Sequence, residues 1–295
     1  MLEGIFVEGL IYGIMALGVF FTFRILDFPD LTVDGSFPMG AVIMAVCLEN
    51  NMGIFLGTIL AFSGGVLAGF VTAAIHNKLK VPHLLAGILT MTMLYSINIR
   101  ILSNRANLPL MNVKNVMSFI AEKTEGIISE EYAYLIFFIL IVLLIKLLLD
   151  IFFHTDMGLI FGALGDNQQM VVNQGISPDT MKMIGVGLSN GLVALSGAFA
   201  AQYLGFADVN LGQGIVISGL ASVMLGEFLI KSNKISILTL RVILGAILYK
   251  AIMYLGRFYG YHINMTPNDL KLISGLLVIV SLFIANYKKI KGRSS

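Results

Sequence analysis

Residues 9–34, GLIYGIMALGVFFTFRILDFPDLTVD, run from a Gly/Ala-studded apolar helix straight into a bend bearing Asp27, Asp30 and Asp34. The same layout returns at 187–212, GLSNGLVALSGAFAAQYLGFADVNLG. Gly9, Leu10, Gly13, Ala16, Leu17, Phe21, Leu26, Phe28 and Asp30 meet identical residues at Gly187, Leu188, Gly191, Ala194, Leu195, Phe199, Leu204, Phe206 and Asp208. A shift of one residue then pairs Gly35 with Gly214 and Gly40 with Gly219. Each copy holds a helix, an F-x-D bend, a short polar strip with glycine, and a short apolar helix.

Working outward, the composition places these helices in a membrane. The chain is 57% hydrophobic and 12% charged, with a mean hydropathy of +0.90. Soluble domains carry about 25% charged residues, so 295 residues of this kind cannot present a water-facing surface. Apolar runs recur at 4–26, 36–48, 54–76, 82–103, 132–153, 183–205, 214–230, 237–257 and 271–287. A helix of about 20 apolar residues crosses a hydrocarbon core of about 30 Å, and helices satisfy their own backbone polar groups there. The expectation is an all-α polytopic membrane protein with about 8–10 crossing helices. The runs 36–48 and 214–230 are short for a crossing and are read as broken, re-entrant or continuous with an irregular segment.

Orientation follows from Lys and Arg in short loops. Lys78 and Lys80 follow the third span, Lys231 and Lys234 the seventh, and Lys288, Lys289, Lys291 and Arg293 the ninth. An odd number of crossings separates each cluster from the N-terminus. The clusters therefore share one side, read as cytoplasmic, with the N-terminus outside and the C-terminus inside a cell membrane. The two copies of the repeat then cross in opposite senses, an inverted repeat of the kind that lines transport paths. The 1–295 chain is expected to form one membrane domain, with repeat halves at about 4–103 and 183–287. The first apolar run lacks a basic leader and an A-x-A-like cleavage site, and is read as a retained span.

Several polar residues need a reason. The 27–36 strip, DFPDLTVDGS, either dips inward to line a cavity, with Arg24 pairing Asp27 or Asp30, or is a solvated turn ended by Pro29 and Gly35. Lys146 and Asp150 lie four apart on one helix face, as an ion pair needs. Lys250 lies deeper, where an ionisable residue faces a bundle interior or cavity. Gly64, Gly65 and Gly69 read as a close-packing face. Cys47 reads as a small buried hydrophobe.

Other chemistries have no signature here. No G-x-x-x-x-G-K-[ST] phosphate loop, H-E-x-x-H, Cys/His cluster or nucleophile–base pattern is present, so no metal, cofactor or catalytic residue is expected in this chain. The net charge of +2 is a topological signal and implies no nucleic-acid partner. Energy for active transport would come from an ion gradient or another protein.

The only long loop on the inner side is 154–182, HTDMGLIFGALGDNQQMVVNQGISPDTMK. Within it, 162–175 reads as a short amphipathic helix that Gly175 stops. Such a helix suits a partner's groove or, alternatively, a connector lying on the membrane surface.

Three stretches resemble the permease subunits of bacterial ABC importers of the branched-chain amino acid and ribose type. Residues 9–41 resemble that family's first helix and polar break, with Asp30-Leu-Thr-Val-Asp-Gly-Ser36 close to the D-L-S-V-G-S strip of its sugar permeases. Asp34 is an insertion relative to that strip and speaks against a sugar. Residues 161–205 are similar to the cytoplasmic segment and the Gly/Ser/Ala-rich helix after it. Residues 211–227, LGQGIVISGLASVMLGE, resemble a late Gly-bearing stretch, with Glu227 replacing its last Gly.

The resemblance implies a transport subunit that is not itself an enzyme. It implies a second permease copy, an extracellular solute-binding protein, and a cytoplasmic ATPase that holds the ATP and Mg. Gly162, Gly165, Asp166, Asn167, Asn173 and Gly175 stand where the family's ATPase-coupling segment stands. Arg24, Asp30, Thr32, Asp34, Asp208, Asn210 and Gln213 stand in the two breaks and are expected to flank the path. An amino acid is the expected solute, with aromatic or other hydrophobic ones favoured. The competing expectation is an ion-coupled secondary transporter in which Asp27, Asp30 or Lys250 carries the coupling.

Overall fold

The computed structural model of the chain describes residues 2–260, apart from 112, 125, 127 and 233, together with 272–280 and 283. Helix α1 (Leu2–Phe20) continues into a π-helical turn, Phe21–Ile25. After the first break come α2 (Val33–Glu49), α3 (Ile54–Leu79) and α4 (His83–Ile101). A connection follows with strand β1 (Asn107–Pro109) and helix α5 (Val116–Thr124), then α6 (Glu130–Phe153). Two short helices, α7 (Asp156–Asp166) and α8 (Gln168–Asn173), precede α9 (Pro178–Leu204). Strand β2 (Phe206–Asp208), a 3₁₀ turn (Val209–Gly212), α10 (Ile215–Leu229) and α11 (Ile235–Gly260) complete the run. Residues 272–280 are helical; residues 271, 281, 282 and 284–287 of the span expected at 271–287, and the basic tail after it, lie outside the described residues.

Seven segments among the described residues are long and apolar enough to cross a membrane. They are α1 with its π turn, α3, α4, α6, α9, α10 with its preceding turn, and α11. Helix α2, at 17 residues, is the short element that the 36–48 run foreshadows. The fold is thus polytopic and helical, and among the described residues its one small sheet is the antiparallel pair β1–β2, with Asn107 opposite Asp208.

Helix α9 forms the axis of the bundle, packed by α1, α2 and α3. Its small residues explain why. In lipid there is no water to expel between helices, so association relies on close van der Waals packing and buried hydrogen bonds. A Cβ on Gly40 of α2 would stand 1.8 Å from the Ala194 carbonyl oxygen, and one on Gly65 of α3 would stand 2.3 Å from that of Asn190. The Gly65–Gly69 face of α3 is accordingly a packing surface. Helix α1 runs antiparallel to α9, since Ser196 Oγ donates to Ile11 O at 2.7 Å while Ser189 Oγ donates to Gly18 O at 2.7 Å. By contrast, α4 and α6 bury few of their apolar side chains and leave many exposed, as helices facing lipid or another chain do.

Candidate functional site

Two polar strips enter the bundle from opposite ends, and the second reaches the first turn of the helix that follows the first. The first, 26–32, leaves the π turn and folds back inward. Its Asp30 reaches Asn190, the thirteenth residue of the 27-residue α9, roughly 18 Å along that helix at 1.5 Å per residue. The second strip, 205–214, leaves the far end of α9, pairs with β1, and turns down toward α2. There Gly212 passes so close to α2 that a Cβ on it would lie 1.8 Å from the Asp34 carbonyl oxygen.

Asp34 makes the joint. Its Oδ2 accepts from Gly214 N at 3.1 Å and its Oδ1 from Val216 N at 2.9 Å. Gly214 is the cap residue and Val216 the second residue of α10, and amides at a helix start have no intrahelical acceptor and carry the positive end of the helix dipole. Gly214 sits at φ +81°, a left-handed conformation that glycine adopts without penalty. A carboxylate in the first turn of the helix after the first break therefore caps the helix that follows the second.

Beside the joint lies a buried polar knot. Asp30 is 2% exposed and accepts from Thr32 N at 2.8 Å and from Asn190 Nδ2 at 2.6 Å. Ser36 Oγ donates to Asn190 Oδ1 at 2.6 Å, and the hydroxyls of Thr32 and Thr72 bond each other at 2.7 Å. Every polar group in this knot has a protein partner, which burial away from water demands. It pins the first break to α9 and α3.

A cavity of about 230 Å³ opens on the other side of the joint, lined by Asp34, Met91, Tyr95, Asn98, Asn210 and Gln213 among others. Its walls are mostly apolar. Asp208 stabilises the turn above it by accepting from Asn210 N at 2.7 Å, and Gln213 Nε2 donates to Asn210 Oδ1 at 3.3 Å. Of the residues expected to flank a path, Asp34, Asn210 and Gln213 line this space. Asp30 and Thr32 are turned into the knot instead.

Arg24 lies in the π turn that follows α1, where its Nε is 3.0 Å from Glu227 Oε1. Glu227 also accepts from Arg241 Nη2 at 2.9 Å. Asp27 or Asp30 is the partner the sequence suggests for Arg24; the tertiary fold supplies Glu227 of α10 instead. Thus α10 is tied to α1 at one end and to α2 at the other.

The 154–182 segment differs in detail from one helix over 162–175. Asn167 breaks it with extended backbone at φ −155°, and its side chain accepts from Gln169 N and Met170 N to start α8. Asp166 closes α7 and Asn173 closes α8, while Gly175 turns the chain at φ +77°. Gly165 is wedged against the π turn, where a Cβ would lie 2.0 Å from Ile25 O; around Gly162 a Cβ would meet nothing within 4 Å. Edge-on contacts of Phe21 with Phe153 and Phe161 fasten the same junction. The segment thus presses directly on the turn that leads into the first break.

Sequence reasoning missed Asn190, Thr72, Ser189, Glu227 and Glu8. A signal existed for Asn190: an amide in the middle of a crossing helix is expensive unless it is hydrogen-bonded across helices. Glu8 and Glu227 are likewise ionisable residues within apolar runs, which signals a partner; what the sequence does not show is which one, since the partners are far away in sequence.

Residues 1–282 match the family described as the permease component of branched-chain amino acid transport systems. A tyrosine transport system permease protein of Clostridioides difficile is 40% identical over 279 residues, covering 95% of this chain and 89% of that protein. An uncharacterised protein of Rickettsia prowazekii is 30% identical over 268 residues, 91% of each chain. An autoinducer 2 import system permease protein of Salmonella paratyphi B is 23% identical over 197 residues, 67% of this chain and 54% of that protein. No solved structure matches the chain.

Proposed function

Because this chain belongs to the family of permease components of branched-chain amino acid transport systems, we propose that it is the membrane subunit through which an ATP-driven importer passes an amino acid. It is a multi-pass membrane protein of the ABC importer permease family. The observation that carries the reading is the joint between two polar breaks, in a chain matched by that family over 282 residues. An aromatic amino acid is the favoured solute, on the likeness to the tyrosine permease.

In this reading a cytoplasmic ATPase binds ATP and Mg and grips the 154–182 segment. Its stroke moves α7, hence the π turn through Gly165, hence the first break. The Arg24–Glu227 pair carries the displacement to α10. The Asp34 cap then lengthens or re-forms, and the space between the breaks changes shape. An extracellular binding protein delivers solute on the face carrying the N-terminus, and a second copy of the chain completes the path. The permease hydrolyses nothing itself. The basic loops after α3 and α10 support a cytoplasmic placement for the opposite face, which also carries Arg24.

The inverted repeat and the single membrane domain belong to the same proposal. They are supported by the antiparallel course of α1 and α9 and by the meeting of the α2 and α10 N-terminal ends. The test is reconstitution with the ATPase and binding protein in proteoliposomes. ATP-dependent uptake of L-tyrosine supports the proposal. Uptake by the isolated chain under an ion gradient alone overturns it.

A further inference from the structure

A second, larger space, about 390 Å³, lies between the start of α1, the second break and the C-terminal half of α11. That volume falls within the range of about 300–1,000 Å³ usual for small-molecule sites. Its chemistry is unlike that of the apolar cavity at the joint. Lys250 Nζ stands 3.1 Å from Glu8 Oε2 and 3.3 Å from the centre of the Tyr12 ring. Lys250 is 16% exposed at its side chain and Glu8 40%, so the pair is reachable from the cavity without being bathed in water. The phenol of Tyr249 bonds Ser218 Oγ at 3.0 Å on the same wall. Arg257 lines the cavity as well and has no carboxylate partner among the described residues.

We propose that this cavity is a station for a zwitterionic aromatic amino acid, with Lys250 taking its α-carboxylate, Glu8 its α-ammonium and Tyr12 its ring. The inference rests on the amino acid reading given above. Fixed charges of opposite sign, set side by side in a partly desolvated site, neutralise each other when the site is empty. A zwitterion entering between them exchanges one ion pair for two and leaves the total charge at zero. A free amine or a free acid leaves one charge unmatched, which a low-dielectric surround penalises heavily. The aromatic faces add stacking and cation–π attraction that an aliphatic solute lacks. The station abuts Ile215 and Ser218 of α10, the helix whose first amides Asp34 caps. Occupancy therefore bears on the same helix that the ATPase-side segment moves.

The test uses the permease with its ATPase and binding protein in proteoliposomes, with labelled L-tyrosine and L-leucine as probes at saturating binding protein. Lys250→Met and Glu8→Gln should each lower the maximal tyrosine uptake about tenfold or more, the scale of breaking a partly buried charge pair. The exchange Glu8→Lys with Lys250→Glu should restore most of it, because a zwitterion can bind reversed. Tyr12→Leu keeps the ion pair and should lower the tyrosine-to-leucine rate ratio, a readout that misfolding does not produce. Uptake unchanged in Lys250→Met, failure of the exchange to restore uptake, or an unchanged ratio in Tyr12→Leu overturns the station while leaving the amino acid reading intact. Absence of both tyrosine and leucine uptake in the wild-type complex overturns both.

Discussion

Removing the Asp34 carboxylate isolates the joint between the two breaks. The side chain accepts two backbone amides, at 3.1 and 2.9 Å, from the start of a 15-residue helix. Hydrogen bonds to a charged group contribute about 1.5–3 kcal/mol each. The adjoining cavity of about 230 Å³ can admit water to the freed amides, so the low end of that range applies. Asp34→Ala should then cost about 3 kcal/mol, two bonds at the low end. Asp34→Asn keeps one good acceptor and loses the favourable charge at the helix terminus, a cost of about 1–2 kcal/mol. The loss is local, so hydrogen exchange at residues 214–216 in nanodiscs reads it directly. Since about 1.4 kcal/mol is tenfold, exchange should quicken roughly a hundredfold in Asp34→Ala and about five- to thirtyfold in Asp34→Asn. Protection at 214 and 216 equal to wild type in Asp34→Ala would refute the capping role, and with it the idea that the breaks are coupled through this side chain.

Asn190→Leu strips Asp30 of one of its two donors and Ser36 of its amide acceptor. At about 1–3 kcal/mol per buried unsatisfied group, the thermal midpoint in detergent should fall by several degrees, and an unchanged midpoint would show the knot to be ornamental. Gly165→Ala forces a methyl against Ile25 O, whereas Gly162→Ala adds one in open space. Overpacking costs typically about 1–3 kcal/mol, so ATP-driven uptake should fall in the first variant and hold in the second. Equal uptake in both would sever the proposed link from α7 to the first break. Gly40→Ala drives a Cβ into the Ala194 carbonyl and should separate α2 from α9; a wild-type yield and elution profile would contradict that packing.

Much of this architecture is legible residue by residue. The apolar runs are legible because a backbone in lipid has to bond to itself, which stamps long apolar helices onto the chain. The two breaks are legible because Pro, Gly and Asp interrupt those runs at matched places, and the short runs after them become α2 and α10. Asn167 shows the limit on the local scale: a polar residue in an amphipathic pattern can continue a helix or cap a new one, and packing against the π turn decides which.

Alone, the sequence determined the number and character of the apolar segments, the two polar interruptions, and the placement of basic residues that argues for orientation. Only the tertiary structure decided which charge meets which. Arg24 pairs with Glu227 rather than with the nearby Asp27 or Asp30, Asp34 caps a helix that begins at Ile215, and Lys250 rests on Glu8 and Tyr12. The physical reason is that transfer to lipid acts on each segment independently, so composition records it. A buried polar group needs one particular partner, and that partner is supplied by whichever helices the small residues of α9 allow to come within contact.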